Sequence, residues 1–242
     1  MTVIGLTGQT GSGKTTISNL LSQKSAKTID VDILAREIVR PNGKVIKTIE
    51  ETFGTDVINS DGSLNRRKLA GIVFADEDQL MLLNAVTHPA LLEEVKFRLD
   101  KIKDSCGDSA VAVVDAAVLI EAQMVPLCDY VIVPECSEEK RVERIMLRDS
   151  LTRERAVERV QAQKDISYFK AYADFVVNTD GNIEDTMMQI DRIWDIICLN
   201  SNIPFETGEL LGPLCNSLVT GSRFSFGRYD VEEFVEIRKV DI

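Results

Sequence analysis

The run Gly8-Gln9-Thr10-Gly11-Ser12-Gly13-Lys14-Thr15 fits the spacing G-x-x-x-x-G-K-[ST]. Its residue types suit a polyphosphate. Glycines let the backbone curl until several N–H groups face one anion. A helix beginning at the end of the run adds its positive N-terminus. Lys14 supplies a mobile cation for the β- and γ-phosphates, and the Thr15 hydroxyl offers a ligand to Mg²⁺. A dinucleotide-binding loop is the weaker reading, because Gly11-Ser12-Gly13 lacks the third glycine of G-x-G-x-x-G.

Three further groups carry chemistry. Asp30-Val31-Asp32 closes an apolar run, and two residues of spacing on extended backbone put both carboxylates on one side. One of them can face an acceptor hydroxyl as general base. Ile33-Leu34-Ala35-Arg36 reads as a helix start, so one of the pair serves only as its N-cap. Spacing does not say which. Asp115 follows Val111-Ala112-Val113-Val114, the Walker-B arrangement that holds Mg²⁺ or its water. Glu121, a little further on, reads as a surface acid at a helix end. Arg141, Arg144 and Arg148 recur at i, i+3 and i+7, which lines three guanidiniums along one helix face. Arg153, Arg155 and Arg159 continue the basic character. A basic lid over a nucleotide suits this segment. A solvated helix laced with Glu138, Glu139, Glu143, Glu154 and Glu158 is the plain alternative.

These side chains need a scaffold. Val3 to Leu6, the neighbourhood of Thr28 to Val31, Ala110 to Val114, Tyr130 to Val133 and Phe175 to Val177 read as buried parallel strands. Helical patterns separate them, the alternation of an α/β doubly wound sheet of the P-loop NTPase type. The first strand, the glycine-rich run and the helix predicted from Thr16 stand in the order that a phosphate loop requires. The stretch from Ile33 to Asp104 exceeds a simple crossover and predicts an inserted helical subdomain. Glu138 to Tyr172 predicts a second helical insertion. Residues 201–242 change character, with Pro204, Gly208, Gly212, Pro213, Gly221 and Gly227 interrupting them.

Bulk properties narrow the partners. The chain of 242 residues carries a formal charge of −11, which argues against broad binding to nucleic acid or an anionic membrane. A local basic site for a small phosphorylated substrate remains compatible with that charge. The five cysteines form no C-x-x-C pair, so free thiols and a reducing, cytoplasmic setting are expected. Met1 leads straight into the first strand, so no secretory leader is expected at this end. No apolar run approaches the roughly 20 residues of a membrane span. Nothing in the sequence sets an oligomeric state.

Taken together, the motifs resemble the dephospho-coenzyme A kinase family, from Val3 to about Ile197. Its opening, G-L-T-G-x-x-G-S-G-K-[ST], stands here as Gly5 to Thr15. Its D-A-D-x-I-A-R stands as Asp30 to Arg36, and its D-G-x-L-x-R-x-x-L as Asp61 to Leu69. Its L-N-x-x-x-H-P stands as Leu83 to Pro89, and Ala173 to Asn178 is similar to its late A-D-x-V-I-x-N.

The resemblance implies ATP-dependent phosphorylation of the 3′-hydroxyl of dephospho-coenzyme A, the last step of coenzyme A synthesis. It implies Asp32 as the base and Lys14 and Arg148 on the transferring phosphate. Gly11, Ser12, Gly13, Lys14, Thr15 and Thr16 would hold the ATP phosphates, with Thr15 and Asp115 on Mg²⁺. Residues 1–200 would form the kinase domain, with about 33–104 containing the coenzyme A subdomain and about 138–172 the lid. His88, the one histidine, is expected to be a core or hinge residue rather than a catalytic one.

Three departures stand out. Gln9 replaces the second glycine that the family usually carries, with little effect expected. Asp115-Ala116-Ala117-Val118-Leu119-Ile120-Glu121 lacks the proline and aromatic of D-x-P-L-L-[FY]-E. Residues 201–242 have no counterpart in the compact family pattern. Two other readings stand beside the kinase of dephospho-coenzyme A. One is a P-loop kinase for another nucleoside, nucleotide or small alcohol. The other is a non-catalytic nucleotide-binding module.

Overall fold

The computed structural model describes residues 1–41 and 43–201, and the extension at 202–242 and the middle of the Pro41-Asn42-Gly43 turn lie outside the described residues. Five strands form one parallel sheet: β1 (Thr2–Leu6), β2 (Lys27–Asp30), β3 (Val111–Asp115), β4 (Tyr130–Glu135) and β5 (Phe175–Asn178). Their order across the sheet is β2-β3-β1-β4-β5. The chain winds both ways from β1, so the crevice where strand order reverses lies at the carboxyl end of β1. The phosphate loop leaves from that point.

Alternation along the strands divides the core. Val3, Ala112 and Val114 pack into one hydrophobic cluster, while Ile4, Leu6, Val111 and Val113 pack into another. Period two sends them to opposite faces. Helix α1 (Lys14–Gln23) and α9 (Ile183–Ser201) cover the second face through Ile17, Leu20, Leu21, Ile190, Ile193 and Ile197. Helix α2 (Val31–Glu37) and α5 (Glu77–Cys106) cover the first through Leu34, Leu91, Val95 and Leu99. Each fully buried aliphatic side chain stabilises the layer by about 1.5–3 kcal/mol relative to exposure.

Two smaller cores stand apart from the sheet. Helix α3 (Lys44–Phe53), α4 (Arg66–Val73) and the N-terminal part of α5 enclose Val39, Ile49, Val57, Leu69 and Val73. Helix α6 (Glu138–Asp149) and α7 (Arg153–Gln161) form a hairpin around Val142, Ile145, Ala156 and Val160. Helix α8 (Ile166–Lys170) then returns the chain to β5.

One local expectation fails. The second strand ends at Asp30, and Val31 already opens α2. Asp30 and Asp32 therefore do not share one side of an extended strand. The Asp30 carboxylate accepts the Ile33 N–H at 2.9 Å, and this cap starts the helix at Val31, two residues before Ile33.

Candidate active site

The loop between β1 and α1 bends through left-handed glycines. Gly11 and Gly13 have φ of 77° and 99°, a region that costs other residues about 1–2 kcal/mol. A Cβ on Gly11 would also lie 2.8 Å from the Arg141 carbonyl oxygen. Ser12 is buried and its hydroxyl donates to the Gln9 carbonyl at 2.6 Å, folding the loop on itself. Helix α1 has no side-chain cap and no acid in its first turn. Its leading N–H groups are thus left for an anion. Lys14 opens the helix, Thr15 is exposed beside it, and Thr16 is half-buried.

The carboxyl ends of the neighbouring strands bring the acids. Asp115 ends β3, paired in register with Leu6 on one side and Asp30 on the other. Burial raises its pKa above the usual carboxylate value. The Lys14 charge and a hydrogen bond from Ser18 oppose that, and the nearby charges of Asp30 and Asp32 add to it. Asp115 therefore stands within reach of the charges of Lys14, Asp30 and Asp32. Asp32 lies exposed in the first turn of α2, while the Asp30 carboxylate is committed to its cap.

The arginines of α6 grip the loop. Arg141, buried, donates to the Thr10 carbonyl at 3.0 Å and to Gln163 Oε1 at 3.1 Å. Arg144 donates to the Gly11 carbonyl at 3.2 Å and to the Thr179 carbonyl at 2.6 Å. Thr179 in turn donates to the Ser12 carbonyl at 2.7 Å. Arg148 reaches Thr10 Oγ1 at 3.4 Å and is forked onto Asp149 through Nε at 2.8 Å and Nη2 at 2.9 Å. Arg159 shares the same carboxylate at 2.7 Å. The solvated-helix alternative thus fails for Arg141 and Arg144. It holds for Arg153, which pairs with Glu139 at 2.8 Å.

A phosphate loop at the switch point of a parallel sheet, with facing carboxylates and a basic hairpin, matches one family. The family model described as dephospho-CoA kinase covers residues 2–185. The chain belongs to the dephospho-CoA kinase family. A relative named dephospho-CoA kinase from Bacillus thuringiensis is 39% identical over 199 residues, covering 81% of this chain and 98% of the relative. One of the same name from Carboxydothermus hydrogenoformans is 36% identical, over 78% of this chain and 90% of that protein. Among solved structures, TT1252 from Thermus thermophilus has a TM-score of 0.67 at 26% identity, covering 82% of this chain and 97% of that one. The dephospho-CoA kinase from Campylobacter jejuni has a TM-score of 0.60 at 23% identity, over 82% and 98%, and shares the fold.

Within that family setting, the altered stretch after Asp115 is a turn. Ala116, Leu119 and Met124 are buried against the sheet, which leaves Glu121 exposed on the turn rather than at a helix end. Glu121 meets His88 through its backbone and Tyr168 through its side chain. His88 is half-buried in the middle of α5, and burial lowers its pKa despite the Glu121 charge. Among the described residues, no helix is long and apolar enough to cross a membrane.

Arg141, Arg144, Gln163 and Thr179 went unassigned by residue type and spacing. The i, i+3 periodicity of the arginines was the one available signal. Thr7, fully buried at the base of the loop, has a hydroxyl with no partner among the described residues.

Proposed function

We propose the following division of labour for the family's reaction, ATP-dependent phosphorylation of dephospho-coenzyme A in coenzyme A biosynthesis. The observation that carries it is the pairing of one committed and one free aspartate opposite Lys14. Asp30 holds the Ile33 N–H, so its lone pairs and orientation serve the helix. Asp32, two residues on and exposed, is left to take the proton of the 3′-hydroxyl as it attacks. Residues Gly11 to Thr16 and the N-terminus of α1 hold the ATP phosphates. Lys14 follows the charge that moves toward the β–γ bridge. Arg148, at the last turn of α6, meets the transferring phosphoryl group when its hold on Asp149 opens. Positioning and charge neutralisation supply most of the acceleration in such a transfer.

Mg²⁺ fits this donor set. Among the described residues no three acidic, histidine or cysteine side chains close into a cage. Mg²⁺ in kinases is ordinarily held by one or two protein oxygens together with substrate phosphates. Thr15 and Asp115 would hold it, and it would neutralise the β- and γ-phosphate oxygens. Burial, and to a smaller degree the charges of Asp30 and Asp32, raises the Asp115 pKa, and a cation bound there would offset that cost. The helical cluster of α3, α4 and the start of α5 forms the acceptor side, and the α6–α7 hairpin the lid.

The test is ADP release from Mg-ATP by the full chain, with and without dephospho-coenzyme A, and the product weighed. Acceptor-dependent ADP and a product heavier by one phosphate are expected. Equal ADP release with and without acceptor would instead favour the nucleotide-binding module. Turnover with another nucleoside or alcohol alone would favour the other kinase reading.

A further inference from the structure

The phosphate loop is tied to the lid at a second place, through residues that the reaction does not use. Gln9 follows Gly8 and is buried, and its Nε2 donates to the Lys164 carbonyl at 2.8 Å. The Thr10 N–H donates to Gln163 Oε1 at 2.7 Å. Arg141 closes the ring, donating through Nη2 to that same Oε1 at 3.1 Å and through Nε to the Thr10 carbonyl at 3.0 Å. Gln163 and Lys164 lie between the end of α7 and the start of α8. They are the returning end of the hairpin, whose departing end is α6. Both ends of the hairpin are therefore fastened to Thr10, and the returning end holds Gln9 as well.

We propose that Gln9 and Gln163 are positioning residues that strap the lid to the phosphate loop. Through the strap, the loop that holds ATP also fixes where Arg148 stands. This rests on the kinase reading of the loop and lid. The chemistry is specific. Gln9 acts as a donor through Nε2 to the Lys164 carbonyl. Gln163 acts as a double acceptor, taking one backbone N–H and one guanidinium N–H on a single oxygen. The hairpin's own core of Val142, Ile145, Ala156 and Val160 makes it a stiff body. Two anchors at its base then set the position of Asp149 and of the two arginines, Arg148 and Arg159, that Asp149 gathers.

The test replaces each amide by its apolar near-isostere, Gln9→Met and Gln163→Met, alone and with Arg148→Ala. Steady-state kinetics are measured against both substrates, with melting temperature as the folding control. Each single variant is expected to lower kcat/KM for ATP roughly threefold to tenfold, the loss of one or two modest hydrogen bonds. The KM for dephospho-coenzyme A should stay in place. In the Arg148→Ala background the same changes should add almost nothing, because the strap acts through that arginine. Wild-type kcat/KM for ATP in both folded single variants would overturn the proposal. So would a loss that persists undiminished without Arg148, since that marks a merely structural contact. An Arg148→Ala variant with wild-type turnover would instead remove the lid reading and take the strap with it.

Discussion

The two sides of the crevice are built differently. On the nucleotide side the loop is held from four directions: by its own Ser12 hydroxyl, by Thr179 at the end of β5, by Arg141 and Arg144 on α6, and by Gln163 from the returning chain. On the side proposed for the acceptor, Asp32 stands exposed on a short helix, and the α3–α4 cluster has a core of its own. The loop is thus preorganised before ATP arrives, which lowers the cost of ordering it at binding. The acceptor wall is free to differ, and its turn after Asp115 does depart from the family pattern. The contrast teaches where substitutions should act. Changes to the contacts that hold the loop should disturb binding and stability together, while changes at Asp32 should disturb rate alone.

The largest break comes from Lys14→Ala. Lys14 is the one cation at the start of α1 aimed into the crevice, and its loss should reduce kcat/KM for ATP by roughly a thousandfold. Isothermal titration with ATP and steady-state assays check it together. Arg148→Ala comes next, with kcat down about a hundredfold and ATP affinity reduced far less, if Arg148 meets the phosphoryl group chiefly in the transition state as proposed. Arg144→Ala should lower both stability and ATP affinity. It removes charged hydrogen bonds to the Gly11 and Thr179 carbonyls, each typically about 1.5–3 kcal/mol, and thermal melting with and without ATP reads the two effects.

Asp115→Asn sharpens the comparison in the opposite sense. Burial raises the Asp115 pKa, so the folded state favours its protonated form. Between the ordinary value of 3.8 and the raised one, the folded chain binds more protons than the unfolded chain. Stability contributed by this group is therefore present below 3.8 and lost as pH rises through the folded pKa. At neutral pH the carboxylate is a net cost, and the asparagine should melt at a higher temperature while losing activity. A melting temperature that falls at pH 7 but not at pH 4 would contradict this.

Much of this was legible in the sequence because it is local. The phosphate loop is a contiguous pattern, and the five strands are contiguous apolar runs bounded by turns or helices. Each was placed to within a residue or two. The aspartate pair was half legible. Spacing announced a base and a cap, but which was which depended on whether the helix began at Val31 or later. The Ile33 N–H on Asp30 makes Asp30 the cap, and the family resemblance points to Asp32 as the base. The grip of Arg141, Arg144 and Gln163 on the loop was not legible, because it joins residues more than a hundred positions apart. Periodicity tells which face of α6 the arginines share. It does not tell what that face lies against, and a solvated face gives the same spacing.

The most direct test of the account compares Asp32→Asn with Asp30→Asn in acceptor-dependent ADP release at saturating ATP. Asparagine caps a helix about as well as aspartate, so Asp30→Asn should keep the Ile33 bond and most of kcat. Asp32→Asn removes the proposed base and should lower kcat by roughly 10²–10⁴-fold with ATP binding kept. If the larger loss falls on Asp30→Asn, or if Asp32→Asn turns over like the wild type, the division between a capping and a catalytic aspartate is wrong.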